Sequence, residues 1–599
     1  MELNVTEDAV RTWYDKVQFS WYDYVLFCGM LVVSTLIGVY FGFFDKKKPS
    51  ANEYLMGGKK MNIFPIAVSL VARYFYLNHI YYIISYNSID FSHVSGVSIL
   101  AVPADVYRFG FGYGLSFMSM FINTLLTIYV FLPVFYKLQI TSMFEYLKLR
   151  FDTRVRLMAS FLYALSAIFY LPIIIYVPAL AFSQATNVSI HLITPIVCGV
   201  CIFYTTIGGL KAVVWTDTLQ FTVTVGAMIA VFFYGVKAAG GPTAVYQISL
   251  NGGRLDVDFD FDPSKRDTFW SMLIGFSVYY ITHFSINQGS VQKLLSLPTF
   301  RDSKKAVLAF GVGITIVKMT CVFTGLIIYA KYYNCDPITT GQVQKTDQIL
   351  PYYVMDVAGH IPGLPGLFIA GVFCTALSTL SATLNSLSGS LYTDFVSRLM
   401  PEDITQQTVS NVLKLIVVII GVVSTSLVFI VEHMGVLLPL SISLSSLTSG
   451  PLLGLFTFGM FFPKANSKGA FYGAVSSLCF LTWIIIGTQY YKAKGMITYS
   501  SLPVSTESCD FNFIPKNSTI LDKPDEVFFM YRISYYYYSM IGAIVSLLVG
   551  SLVTYFTKNQ EAPVRKELLS PIIYRFLKDE DQYFTVEMAK KVVELNDEK

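Results

Sequence analysis

Three side chains in the stretch "GVFCTALSTLSATLNSLSGSLYTDF" (371–395) are arranged for ion chemistry. Thr375, Ser378 and Thr379 stand at i, i+3 and i+4, a spacing that puts their hydroxyls on one helix face. The run around them is apolar, and polar groups are costly in hydrocarbon, so such a cluster is a candidate site. Neutral oxygens on one face suit a small hard cation; alternatively, Ser and Thr return hydrogen bonds to their own helix or join it to neighbours. A second stretch, "PIAVSLVA" with "SHVSGVSILAVPADVYRFG", reads as an apolar helix interrupted by Ser, Gly and Pro. Broken helices of this kind expose backbone carbonyls at mid-membrane, where secondary transporters bind ions and solutes. In "FSINQGSVQ", Asn287, Gln288 and Gln292 flank Gly289, and their carboxamides either bind a small polar solute or cap a helix. Lys318, in "GITIVKMTCV", lies near the middle of an apolar run; half of that run is about 18 Å long, so reaching either surface is strained. It faces protein or a wet cavity, in a structural role or a substrate role. Cys198 and Cys201 form a CxxC by spacing, with no second pair and no nearby His, and read as ordinary packing.

These side chains must be positioned by membrane helices. The chain has 599 residues, 54% hydrophobic and 14% charged, with a mean hydropathy of +0.55. Apolar runs of about 20 residues recur, each long enough to cross about 30 Å of hydrocarbon as a helix. Solid runs rather than alternating segments predict helices, not a barrel. A net charge of +4 and no basic stripe give no reason to expect a nucleic-acid partner. No cleavable leader is expected, because the first apolar run is too long for a signal core. Thirteen spans are predicted, at 19–43, 62–107, 113–138, 156–180, 190–208, 212–236, 268–288, 306–331, 364–394, 410–432, 435–462, 468–491 and 536–557. Basic linkers such as "DKKK", "LKLRFDTRVR", "RDSKK" and "PKANSK" follow odd-numbered spans, so the N-terminus (1–18) is predicted outside and the tail (558–599) inside. The tail reads as a solvated segment rather than a domain. The glycosylation sequons at Asn4, Asn187 and Asn517 all fall on the predicted outer side. Cys335 and Cys509 fall there too, in loops 332–363 and 492–535, and a disulfide between them is expected.

The motif "GGLKAVVWTDTLQ" (208–220), with "YLMGGKKM" (54–61), "PADVYRFG" (103–110), "YVPALAFSQATN" (176–187), "NQGSVQKLLS" (287–296) and "LSTLSATLNSLSGSLYTDF" (377–395), resembles the solute:sodium symporter family. The resemblance runs from about 19 to 560. "VYRFG" and "LSTLSATLNS" resemble the branch of sodium-coupled monocarboxylate, multivitamin and iodide transporters. It implies an all-α polytopic protein with a LeuT-like core of two inverted five-helix repeats, at 62–236 and 268–462, flanked by a first helix at 19–43 and two more within 468–557. It further implies a sodium site formed by the hydroxyls of Ser378 and Thr379 and the backbone carbonyls of Ala72, Val94 and Thr375, with Asp217 on a cytoplasmic sodium exit route. Asp217 read by itself is an N-cap at a span start. The branch's substrates are anions, which makes Arg108 in "VYRFG" a candidate for attracting one; as a residue near a helix end it is also a structural anchor.

One segment departs from the family's pattern. "RYFYLNHIYYIISYNSIDF" (73–91) separates Ala72 from Ser92, which the family's pattern joins directly. It is rich in Tyr, Ile, Phe and Asn, residues with A/T-rich codons, and its ends are compatible with splice junctions. We read it as a retained intron of nineteen codons translated in frame, the alternative being a genuine loop or extra helix; an extra span would invert every downstream loop. Arg73 and Asp90 would need partners in or near the membrane.

The expected function is a plasma-membrane sodium symporter for a small organic anion, foremost a monocarboxylate, with vitamin or iodide-like anions as alternatives. Na+ is the coupling ion, no cofactor is expected, and no constellation suggests an enzyme. The rival from another class is a substrate-gated sensor or leak channel, or a transport-impaired form because of 73–91. The oligomeric state is not readable.

Overall fold

The computed structural model describes residues 19–40, 43, 96–138, 140, 142–295, 299–401, 404–432, 437–509, 527–557 and 564–577. Ala72, Val94, Asn4, Asn517, the segment 73–91 and the tail beyond 577 lie outside them. Among the described residues the protein is all-helical: α1 (Trp21–Val39), α2 (Gly96–Phe109), α3 (Phe111–Leu138), α4 (Met143–Arg150), α5 (Thr153–Thr186), α6 (Ile190–Gly209), α7 (210–238), α8 (Pro242–Asn251), α9 (269–285), α10 (Gln288–Leu295), α11 (Phe300–Tyr332), α12 (Ile349–Ala358), α13 (Leu364–Asp394), α14 (Gln406–Val431), α15 (Leu437–Phe461), α16 (Ser467–Ala493) and α17 (Tyr538–Thr557).

Ten of the described helices are long and apolar enough to cross a membrane, eleven if Val223–Ala238 and Pro242–Asn251, bent by 74°, form one span. The protein is a multi-pass membrane protein. Of the thirteen expected spans, 62–107 falls largely outside the described residues, and only its C-terminal part, in α2, is seen. The expected span 268–288 is cut into a π turn (Ser271–Phe276), one α turn (Ser277–Tyr280) and a second π turn (Ile281–Ser285). A π turn also interrupts α3 at Thr127–Phe131. Such turns carry an extra residue in the ladder and concentrate at functional positions.

Local chemistry explains the boundaries. Asp152, Ser189, Thr299, Thr405 and Asn466 each accept a backbone N–H at the start of a helix, satisfying donors that the helix itself leaves open. Asn187 ends α5 in the left-handed conformation, φ 62°. The second glycine of the "GGLK" motif, Gly209, has φ 54° and ψ −154°, a combination closed to residues with a Cβ, and there α6 turns into α7.

The centre of the protein is α13, buried along most of its length and packed on α5, α6 and α7. Close approach there depends on small residues: the Cα of Asp23 on α1 would lie 2.4 Å from a Cβ at Gly366, whose N–H donates to the Asp23 carboxylate at 2.8 Å. Apolar side chains such as Leu415, Ile419 and Val422 on α14 stay exposed, as a lipid-facing surface requires. At the end carrying the basic linkers, the buried Arg150 of α4 donates to the carbonyls of Gly459, Phe462, Pro463 and Ala465 at 2.8–3.2 Å, capping the C-terminus of α15. Residues 568–570 dock on the same place: Tyr146 donates to the Leu568 carbonyl, and Ser570 donates to those of Met460 and Val130.

Candidate functional site

Thr375, Ser378 and Thr379 share a face of α13, with Thr375 and Thr379 buried and Ser378 half-buried. The Thr379 hydroxyl donates to the Thr375 carbonyl at 2.9 Å, and the Thr375 hydroxyl to the Val372 carbonyl at 2.8 Å. A hydroxyl that donates to its own helix keeps acceptor capacity on its oxygen, which is what a cation ligand uses. The two readings left open by the sequence, helix back-bonding and cation binding, are therefore compatible in one geometry. The remaining carbonyls of the expected set, on Ala72 and Val94, lie outside the described residues.

The other candidates are placed as follows. Asn287 is an N-cap: its Oδ1 accepts from the N–H groups of Gly289 and Ser290 at 2.9 and 3.3 Å and starts α10. Gln288 is buried, and its Oε1 accepts from the Met143 N–H at 2.8 Å, tying α10 to the start of α4. Asp217 lies eight residues past the Gly209 kink, inside α7, so it is not at a helix start; its side chain lies outside the described set. Asn187 is exposed in the turn between α5 and α6. Cys198 is buried, and Cys201 is buried against Tyr204 and the Leu377 carbonyl. Lys318 is 4% exposed and donates to the Tyr113 hydroxyl at 2.8 Å.

At the end where α2 gives way to α3, Arg108 and charged residues that were not singled out from the sequence form a cap. Arg266 pairs with Asp105 and, at 3.3 Å, with Asp267, and its guanidinium lies 4.0 Å over the Phe109 ring. Arg254 stacks 4.1 Å over Tyr329 and donates to the carbonyls of Arg108 and Pro503. Tyr107 donates to Asp336 at 2.5 Å, and Arg108 donates to Thr346 at 3.2 Å. Cys335 and Cys509 are joined by a disulfide, closing a sequence separation of 174 residues beside this cap. Replacing both cysteines with serine is expected to remove about 2–4 kcal/mol of stability; the melting temperature of purified protein, compared with and without reductant, checks it, since reductant should affect only the parent chain.

Asp347 belongs to the same cap, in the loop before α12. Burial pushes its carboxyl up to about 6, against the Leu437 N–H that it accepts at 3.2 Å and the positive charges of Lys345, Arg266 and Arg108, which pull it down. A folded-state value above the unfolded one stabilises the protein below the unfolded value, and that contribution is lost as the pH rises through about 6. Asp347→Asn keeps the acceptor and removes the charge. It is expected to raise stability by about 1–3 kcal/mol at pH 7.5 and by about half as much at pH 5, read from thermal unfolding at both values.

Residues 82–476 match the model of the sodium:solute symporter family. The chain is 35% identical over 560 residues to sodium-coupled monocarboxylate transporter 2 of Mus musculus, covering 93% of this chain and 86% of that protein. It is 34% identical over 569 residues to sodium-coupled monocarboxylate transporter 1 of Homo sapiens, covering 92% and 89%. Among solved structures, a Na+-coupled sialic acid symporter in a substrate-bound, outward-open state superposes with a TM-score of 0.70 at 23% identity, over 90% of this chain and 98% of that one. That similarity establishes the LeuT-like fold. With its fold, its matched residues and its relatives in agreement, the chain belongs to the sodium:solute symporter family and is a sodium-coupled transporter, not an enzyme.

Proposed function

We propose that the chain is a plasma-membrane symporter that imports a small organic anion, a short monocarboxylate, together with sodium by alternating access. The observation that carries the reading is the hydroxyl face of α13, where the Thr375 and Thr379 hydroxyls donate to the Val372 and Thr375 carbonyls along one buried side of the helix. Ser378 and Thr379 contribute hydroxyl oxygens, and Ala72, Val94 and Thr375 carbonyl oxygens, with Asp217 on the sodium exit route. The monocarboxylate is supported by the names of the relatives at about one-third identity. Sodium coupling suits an anion because the inside-negative potential opposes its entry, and each added positive charge moved inward contributes about 2.3 kcal/mol per 100 mV. More than one sodium per anion is therefore the expected stoichiometry.

The orientation, N-terminus outside and C-terminus inside, is supported by the basic linkers and by the Cys335–Cys509 bond, which joins two loops on the side assigned to the oxidising exterior. The two repeats correspond to 62–236 and 268–462. Arg108, at the outer end of α2, contributes to a positive approach for the anion. Uptake of labelled lactate, butyrate, biotin and iodide in cells, with sodium and with choline in its place, tests the assignment. Accumulation of lactate or butyrate against a gradient only in sodium supports it; accumulation of biotin or iodide alone moves the substrate to another anion of the branch. Sodium-dependent currents without accumulation would instead favour a sensor or leak channel.

A further inference from the structure

Lys318 is a buried charge that the sodium site does not use. It sits near the midpoint of α11 and is 4% exposed. Its ammonium donates to the Tyr113 hydroxyl at 2.8 Å and lies 5.3 and 5.2 Å from the ring centroids of Tyr113 and Tyr280. Among the described residues no carboxylate pairs with it, while in the outer cap Arg266 pairs with Asp105 and Arg254 donates to two carbonyls. An ammonium has three donors, and a single hydroxyl with two aromatic rings leaves its charge uncompensated. Charges held inside a membrane protein without a counter-charge are expensive and belong to pathways for ions or solutes.

The position fits such a pathway. Cys321 and Gly325 follow Lys318 at i+3 and i+7 on the same face of α11, and that face packs on α2, the C-terminal part of the interrupted span. A Cβ on Gly325 would meet the Pro103 carbonyl at 2.7 Å. Tyr280 is the last residue of the single α turn in α9, where the helix passes into its second π turn. Lys318 thus points to where α2, α3 and the interrupted α9 meet.

We propose that Lys318, with the hydroxyls of Tyr113 and Tyr280, binds a small monovalent anion: the carboxylate of the transported solute, or a halide bound alongside it. The proposal deepens the symporter reading and rests on it for the first of these two sources. A fixed cation at this depth supplies the countercharge that an anion loses on leaving water, and the tyrosine hydroxyls supply directional donors. Na+ on α13 and an anion at Lys318 then occupy separate places, each neutralised locally.

The test uses the purified full chain and thermal unfolding at constant sodium concentration, with chloride or butyrate titrated against a sodium sulfate baseline. Lys318→Met removes the charge at similar volume, and Lys318→Arg keeps it. The parent is expected to show a saturable rise in melting temperature with one of the two anions, weakened at least tenfold in Lys318→Met and largely kept in Lys318→Arg. A response to butyrate that persists without chloride identifies the solute carboxylate; a response to chloride alone identifies the halide. No anion response in the parent, or an equal response in Lys318→Met, overturns the proposal and leaves Lys318 as a cation satisfied by its tyrosines. A separate titration of sodium against choline, made on the form lacking 73–91, reports on the sodium site: absence of a response there would count against the symporter reading, whatever Lys318 does.

Discussion

Deleting residues 73–91 is expected to raise sodium-dependent uptake at least tenfold at equal surface density. A hard cation is held by oxygens within about 2.3–2.6 Å, by analogy with other hard-cation sites, so the proposed carbonyls of Ala72 and Val94 must both reach one ion. In the family's pattern they are one helical turn apart, and here nineteen further residues separate them, including Arg73 and Asp90. The match to the family model begins at residue 82 and so does not span the junction after Ala72. Uptake of labelled butyrate by the two forms, normalised to surface biotinylation, decides the matter. Equal uptake would mean that the inserted residues loop clear of the ion site, and transcripts all carrying the segment would remove the intron reading.

The second large effect is expected at the hydroxyl face. In the form lacking 73–91, Thr379→Ala is expected to raise the sodium concentration for half-maximal uptake about tenfold, the equivalent of about 1.4 kcal/mol. Joining it to Ser378→Ala is expected to abolish coupled uptake. Folding should survive, because losing a single side-chain hydrogen bond costs about 1 kcal/mol net. The measurement is initial uptake rate against sodium concentration, with surface density as the control. An unchanged sodium dependence in the double variant would place the ion elsewhere and reduce these hydroxyls to helix-internal bonding.

How much of this was legible beforehand depended on whether the signal was local. Long apolar runs announced most of the helices, because hydrocarbon thickness sets a length that composition reveals. The hydroxyl face of α13 was legible from spacing alone, and the Cys335–Cys509 pair from the side of the membrane each loop was assigned to. The division of 268–288 into π and α turns was not, since nothing in "SMLIGFSVYYITHFS" separates a π turn from an α turn. The pairing of Arg266 with Asp105 was equally hidden: the partners are 161 residues apart, and neither carries a mark of the other. At Asn287 the sequence left solute binding and helix capping open, and the structure gives its oxygen to the start of α10. For "GGLK" the motif was visible and its reason was not; that came with a backbone angle only glycine adopts.

The Arg150 fork has a consequence for how such a protein can move. One planar cation spends its donors on four carbonyls around the end of α15, and residues 568–570 are laced onto the same patch. Parts held together by so many directional bonds travel as one block when domains rock against each other. The seam that opens toward the basic-linker side must therefore run elsewhere than between α4 and α15. Cutting the chain ahead of residue 564 would strip part of that block's fastening rather than trim a loose end.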